Sequence, residues 1–235
     1  MQELLDLLLP TQCVACGASG DVLCRACLSR LPLLVGAVCA RCGSPAALGC
    51  RECRGRDLAF AAARSAVVYR GDVARALGAW KEGGVWRMTR VAASIVTSVI
   101  PEPAVDALTS VPPDGDRFLW RGHDPAAGLA RMLAREWGIP YQRMLRRVSR
   151  VAVQKGLDAA ERQQNAAGTF LAPRPVPTRV AVVDEVYTTG ATASAAALAL
   201  RVGGARTVEV VTFARTPRAR SARPAMRHPP LESDR

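Results

Sequence analysis

The chain has 235 residues, enough to bury a full core as one large domain or as one domain plus a small module. Lys and Arg outnumber Asp and Glu by 32 to 20. That excess suits a phosphorylated small molecule, nucleic acid or an acidic membrane surface, and chooses none of them; no stretch approaches the roughly 18 uncharged apolar residues of a membrane span.

Residues 1 to 9, MQELLDLLL, are apolar but carry Glu3 and Asp6, lack a basic leader and run into cysteines without a small-residue cleavage site. They read as a short helix rather than a signal peptide, which predicts a cytoplasmic protein whose thiols stay reduced. All eight cysteines follow as four Cys-x-x-Cys pairs: Cys13/Cys16, Cys24/Cys27, Cys39/Cys42 and Cys50/Cys53. The segment repeats at an offset of 26, CVACG at 13 returning as CARCG at 39, and CRAC at 24 as CREC at 50. Such duplication makes each copy a self-sufficient unit.

A Cys-x-x-Cys turn sets two thiolates on one side of a tight loop, and Gly17 and Gly43 supply permissive backbone just after it. Two turns close a tetrahedral four-sulfur site with no position left for substrate, so two structural Zn2+ ions are expected. The repeat favours sequential pairing, and interleaved pairing is the alternative, because the seven residues between pairs are fewer than in the common ribbon. A redox role would need a thioredoxin-like strand and helix around each motif, which four tandem copies fit badly.

After Cys53 apolar segments alternate with Ala/Leu-rich helical patterns. The pattern predicts a strand at 64–69, a helix at 71–81 entered through Asp72 as cap, and a second helix at about 86–99 after Gly83 and Gly84. A strand at 105–111 ends in Pro112-Pro113, and 124–138 reads as a helix with Asp124 as cap, Pro125 in the first turn and Gly138 at the end. A short helix closes near 161–165. A strand at 179–184, a helix over TASAAALALRVGG and a strand at 207–214 complete the series. The last stretch, Arg215 to Arg235, is basic and Pro-rich, a composition that predicts no fixed structure. Strands alternating with helices imply an α/β fold with a mostly parallel sheet covered on both faces, and ligands in such sheets sit beyond the carboxyl ends of the strands.

Two predicted strands end in chemically loaded loops, 112–123 and 184–192. The second reads VVDEVYTTGAT, and its free amides, positive helix end and three threonines make an anion site suited to a phosphate. It is neither a Walker loop, having no Lys after the glycine, nor a Gly-x-Gly-x-x-Gly loop. Two carboxylates beside it would repel a bare phosphate, so they suit vicinal sugar hydroxyls with a magnesium ion close by; a phosphorylated ribose fits. The alternative is a capped helix behind a buried strand, with Thr188 or Thr189 as cap.

VVDEVYTTGAT resembles the ribose-phosphate loop of type I phosphoribosyltransferases, which use phosphoribosyl diphosphate (PRPP). Together with the cysteine array it is similar to the ComF family of competence proteins, as are VVYRGDVARALGAWKEGG, SVPPDGDRFLWRGHDPAAGLA and VQKGLDAAERQQNAAGTF in that order. The resemblance implies an N-terminal helix and double zinc ribbon over 1–57, a phosphoribosyltransferase-like domain over 58–215 and a basic tail over 216–235. It implies that Asp184 and Glu185 hold the ribose hydroxyls and that Thr188, Thr189, Gly190, Ala191 and Thr192 hold the 5-phosphate. Arg117 and Arg121 would face the diphosphate together with Mg2+, Lys81 would be a lid residue or a lysine at a helix end, and Arg162, Asn165 and His123 would line the acceptor side or serve the surface. The family's usual second aspartate is Glu185 here, and its Arg-Gly-Phe-Asn-Gln is Arg121-Gly122-His123-Asp124-Pro125, where Asp124-Pro125 suits a helix cap. The implied activity is phosphoribosyl transfer to a nitrogen acceptor. The implied partners are PRPP, an acceptor base or nucleic acid, single-stranded DNA and proteins of a DNA-uptake machinery, with a non-catalytic DNA-binding factor as the alternative.

Overall fold

The computed structural model describes residues 11–45, 50–113, 122–148, 169–172 and 175–217. The expected helices at 1–9 and 161–165, the residues Arg117, Arg121, Arg162 and Asn165, and the tail from 218 onward lie outside the described residues.

In chain order the elements are α1 (Arg25–Leu28), β1 (Ala62–Val68), α2 (Asp72–Lys81), α3 (Met88–Val99), β2 (Ala107–Ser110), α4 (Pro125–Trp137), β3 (Arg146–Arg147), β4 (Phe170–Leu171), β5 (Arg179–Tyr187), α5 (Ala191–Val202) and β6 (Thr207–Arg215). β1, β6, β5 and β2 form one parallel sheet in that spatial order, with β5 and β6 central. Val180 to Val183 are all buried, as a strand covered on both faces requires.

Alternate residues of the central strands feed two cores. Ala181, Val183, Val211 and Phe213 face α2, α3 and α4, where Trp80 packs edge-on against Phe213 with ring centroids 6.0 Å apart. Val180, Val182, Val208 and Val210 face α5 through Ala193, Ala196, Ala197 and Leu200. The small side chains of α5 let the helix lie close on the strands. The duplicated cysteine units divide in the same way: Cys13, Leu23 and Cys27 join the first core, whereas Cys42 and Cys53, with Leu58 and Phe60, join the second.

Three local expectations are corrected. β5 runs on to Tyr187, three residues past the predicted end, so both acids lie within the strand, paired along β6 from Asp184 against Thr212 to Tyr187 against Arg215. Gly71, not Asp72, occupies the cap position of α2, and no side chain caps that end. The Asp72 carboxylate is instead taken by Arg75 at 2.5 Å and Arg30 at 3.7 Å. The antiparallel pair β3–β4 was not predicted; at two residues each, its strands carry no periodic signal. α4 follows the sequence reading: Asp124 Oδ1 accepts from the Ala127 amide at 2.9 Å, Pro125 opens the helix, and Gly138 ends it with φ +66°.

Candidate functional site

The cysteine units are copies at the level of single hydrogen bonds. The Cys13 amide donates to the Ala18 carbonyl at 2.8 Å, and the Cys39 amide to the Ser44 carbonyl at 2.8 Å. The Gln12–Ser19 bridge of the first unit returns as Val38–Pro45 in the second. Within each of the sets Cys13/Cys16/Cys24/Cys27 and Cys39/Cys42/Cys50/Cys53, all sulfurs lie within 4.8 Å of one another. Sequential pairing is therefore the arrangement present. A tetrahedral Zn–S bond of about 2.3 Å places sulfurs about 3.8 Å apart. The Cys16–Cys24 and Cys39–Cys53 separations are each 3.7 Å and Cys42–Cys50 is 3.4 Å, so the sulfur cages fit zinc.

The second centre lies at the carboxyl end of β5. Glu185 is 8% exposed, and its Oε2 accepts from Lys81 Nζ at 3.3 Å. Lys81 is the last residue of α2, so the sheet and the helix layer bring together groups 104 positions apart. Asp184 Oδ1 accepts from the Glu185 amide at 2.8 Å. Burial pushes the Asp184 carboxyl well above its ordinary pKa, and the neighbouring Glu185 charge pushes it further. Burial also opposes the Glu185 carboxylate, but hydrogen bonding to Asp184 and the Lys81 ammonium outweigh it and hold that pKa below the ordinary value. The pair thus keeps Glu185 charged and favours a proton on Asp184 in the free protein.

Beyond Tyr187 the chain turns through Thr188 and Thr189, both exposed, into Gly190, which caps α5 in the left-handed region at φ +79°. No side chain of the cap residue satisfies the helix amides. Thr189 Oγ1 accepts from the Ala191 amide at 3.3 Å. The positive end of α5, with hydroxyls of Thr188, Thr189 and Thr192 around it, is thus available to an anion.

Residues 4–57 match the double zinc ribbon domain family. Over 115 residues the chain is 34% identical to Competence protein F of Haemophilus influenzae, an alignment covering 47% of this chain and 50% of that protein. The chain is ComF-like. It spans about half the length of that curated relative. An adenine phosphoribosyltransferase structure aligns over 60% of this chain and 75% of its own at 17% identity and a TM-score of 0.33. The purine phosphoribosyltransferase from Pyrococcus horikoshii Ot3 aligns over 56% and 84% at 20% identity and a TM-score of 0.32. Likenesses at that level add nothing to the parallel sheet described above. Among the described residues no helix is long and apolar enough to cross a membrane.

Of the residues singled out in the sequence, the ComF-like chain brings together Asp184, Glu185, Lys81 and the 188–192 turn. His123 lies at the near end of α2, its Nε2–H donating to the Trp80 carbonyl at 2.7 Å. That bond ties the loop before α4 to the residue preceding Lys81. A cavity of about 1020 Å³ lies elsewhere, between the first cysteine unit, α3 and α4; it reaches His123 and Asp124 but neither acid of the pair.

Sequence reasoning placed Arg215 at the head of the unstructured tail, whereas it is the buried final residue of β6. It is 2% exposed, and its guanidinium stands 4.5 Å from the Tyr187 ring centre and contacts the second cysteine unit. A charged residue ending an apolar strand is the sole local sign of it, and that sign more often marks solvent.

Proposed function

We propose that this ComF-like chain binds PRPP and transfers its phosphoribosyl group to a nitrogen acceptor with release of diphosphate. The observation that carries this reading is the Asp184–Glu185 pair at the end of a central parallel strand, set beside a helix start that no cap residue's side chain satisfies. The first-turn amides and the hydroxyls of Thr188, Thr189 and Thr192 take the 5-phosphate, while Gly190 and Ala191 let it approach the backbone. Asp184 and Glu185 take the vicinal ribose hydroxyls.

As the bond from the anomeric carbon to diphosphate breaks and the bond to nitrogen forms, positive charge grows on the sugar ring, and the acid pair offsets it electrostatically. Arg117 and Arg121 are assigned to the leaving diphosphate, and Arg162 and Asn165 to the acceptor. Among the described residues no third acid joins the pair, so a magnesium ion would share oxygens with the substrate, as that ion usually does. When bound, it supplies neutralisation of the diphosphate. Lys81 keeps Glu185 ionised and positioned before ligand arrives.

PRPP with magnesium is expected to raise the thermal midpoint of the wild type and not that of Asp184→Ala/Glu185→Ala. Equal protection of the double variant would refute the site. The likeness to Competence protein F supports a role in DNA uptake.

A second reading, a factor that grips single-stranded DNA, is favoured by the large cavity. Arg25, Arg87, Arg90, Arg131 and Arg135 line it, together with Trp86, which is 65% exposed and offers a stacking face. Arg90→Ala/Arg135→Ala is expected to weaken single-strand binding and to flatten its salt dependence by about two phosphate contacts. An unchanged salt slope excludes this groove.

A further inference from the structure

Arg215 is a cation almost wholly enclosed where the second cysteine unit meets the sheet. Its Nη1 donates to the carbonyl of Cys42 at 2.6 Å, its Nη2 donates to Glu52 Oε2 and lies 3.9 Å from Cys42 Sγ, and its Nε has no partner among the described residues. Both the carbonyl and the sulfur belong to a cysteine of the tetrad, and Glu52 sits beside another, Cys53. The position of the guanidinium is therefore dictated by the folded shape of that unit.

The other side of Arg215 meets the anion loop. The guanidinium carbon lies over the Tyr187 ring, whose edge is closed off by Phe60 at 6.2 Å between centroids. The tip of the ring lies under Gly190: a Cβ there would overlap the phenol oxygen and stand 2.7 Å from Cζ. The Tyr187 hydroxyl is buried, and the ring is placed by its contacts with Phe60, Gly190 and the Arg215 guanidinium. The backbone follows the same route, since the Thr216 amide donates to the Tyr187 carbonyl at 2.9 Å. Among the described residues nothing comparable links the first tetrad to the loop: Arg30 touches Cys27 Sγ at 3.4 Å but continues to Asp72 at the start of α2.

We propose that Arg215 is a positioning residue that couples zinc occupancy of the second tetrad to the shape of the 188–192 loop, through Cys42 and Glu52 on one side and Tyr187 and Gly190 on the other. Filling the second site holds the guanidinium, the guanidinium holds the ring, and the ring sets the height of the turn that presents the α5 amides. Coupling of this kind is reciprocal: a ligand that orders the loop tightens the second zinc by the factor by which that zinc tightens the ligand. The last part rests on the phosphate-loop reading given above; the mechanical link does not.

The zinc-loaded full chain provides the test, as wild type, Arg215→Met and Arg215→Met/Glu52→Met. The double variant removes both charges and so avoids leaving a buried carboxylate alone. Amide hydrogen exchange needs no ligand. Both variants are expected to exchange about tenfold faster at Ser194, whose amide donates to the Gly190 carbonyl at 2.8 Å, with exchange at the first turn of α4 unchanged and two zinc ions still bound per chain. Exchange at Ser194 equal to wild type in the folded double variant overturns the coupling, whatever the ligand.

The second arm follows zinc release to a colorimetric chelator, with and without PRPP and magnesium. In the wild type PRPP is expected to slow one of the two release phases, and in the double variant neither. PRPP that binds the wild type but slows neither phase, or slows both equally, also overturns the coupling. PRPP that fails to bind the wild type removes the substrate reading instead, and the exchange arm still decides the link.

Discussion

Gly190→Ala tests whether the Tyr187 ring supports the anion loop, and its cost can be worked out from two separable effects. Gly190 sits at φ +79°, where an L-residue costs about 1 kcal/mol. The added methyl also overlaps a ring that cannot retreat, being held by Phe60 on one side and Arg215 on the other. Overpacking of that kind costs about 1–3 kcal/mol, so the variant is expected to lose about 2–4 kcal/mol. Gly138→Ala is the control, because Gly138 has nearly the same backbone, φ +66°, and open space where its Cβ would be. It should lose the backbone cost alone, about 1 kcal/mol. At roughly 3 °C per kcal/mol for a chain of this size, calorimetry should show drops of about 6–12 °C for Gly190→Ala and about 3 °C for Gly138→Ala. PRPP affinity should fall only in the first. Equal drops in the two variants would refute the claim that the ring holds the turn.

The acid pair predicts two pH dependences of opposite sign. Asp184 has a raised pKa, so the stability tied to its proton is complete below the ordinary value of 3.8 and is lost at up to about 1.4 kcal/mol per pH unit as pH rises toward its folded-state value. Asp184→Asn should therefore match wild type in acid and gain on it with rising pH; a gap independent of pH contradicts the burial. Glu185 has a lowered pKa, so its stabilisation is present above the ordinary 4.5 and is lost on acidification. Glu185→Gln should be the weaker protein at neutral pH, with the gap closing in acid. Sequential zinc pairing predicts one zinc per chain in Cys13→Ser/Cys27→Ser and none in Cys13→Ser/Cys42→Ser, read by elemental analysis; one zinc in the latter would mean interleaved sites. Asp124→Ala should cost about 1 kcal/mol through the lost cap of α4 while PRPP affinity stays within twofold. A larger loss of affinity would move Asp124 from the helix cap into the site.

What could be read from the sequence was what short-range chemistry determines. The cysteine repeat announced two metal cages because the ligands of each cage lie within 15 consecutive residues, and the repeat carries over into matching hydrogen bonds at Cys13 and Cys39. The α4 cap and terminal glycine were legible for the same reason. Asp72 misled because a carboxylate next to a helix start usually caps it, whereas Arg75 and Arg30 compete for this one. The long-range part was silent. The Lys81–Glu185 pair depends on α2 packing over β5, and the Arg215 contacts depend on β6 lying beside β5 with the second cysteine unit folded over its end. Neither strand order nor the placement of the cysteine units is written in any local pattern.

That placement makes the two halves of the repeat unequal. Both cages have the same sulfurs, spacing and turn hydrogen bonds, so their intrinsic demand for zinc is similar. The first unit, however, packs into the core under α2, α3 and α4 and borders the arginine-lined cavity, while the second packs under α5 at the end of the sheet where the acids and the anion turn lie. A structural metal stabilises whatever its ligands touch. Loss of the first ion should therefore loosen the cavity and the helix layer that carries Lys81, and loss of the second should loosen the turn at Gly190. Duplication supplied two equal staples, and the parallel sheet between them gave each a different site to hold.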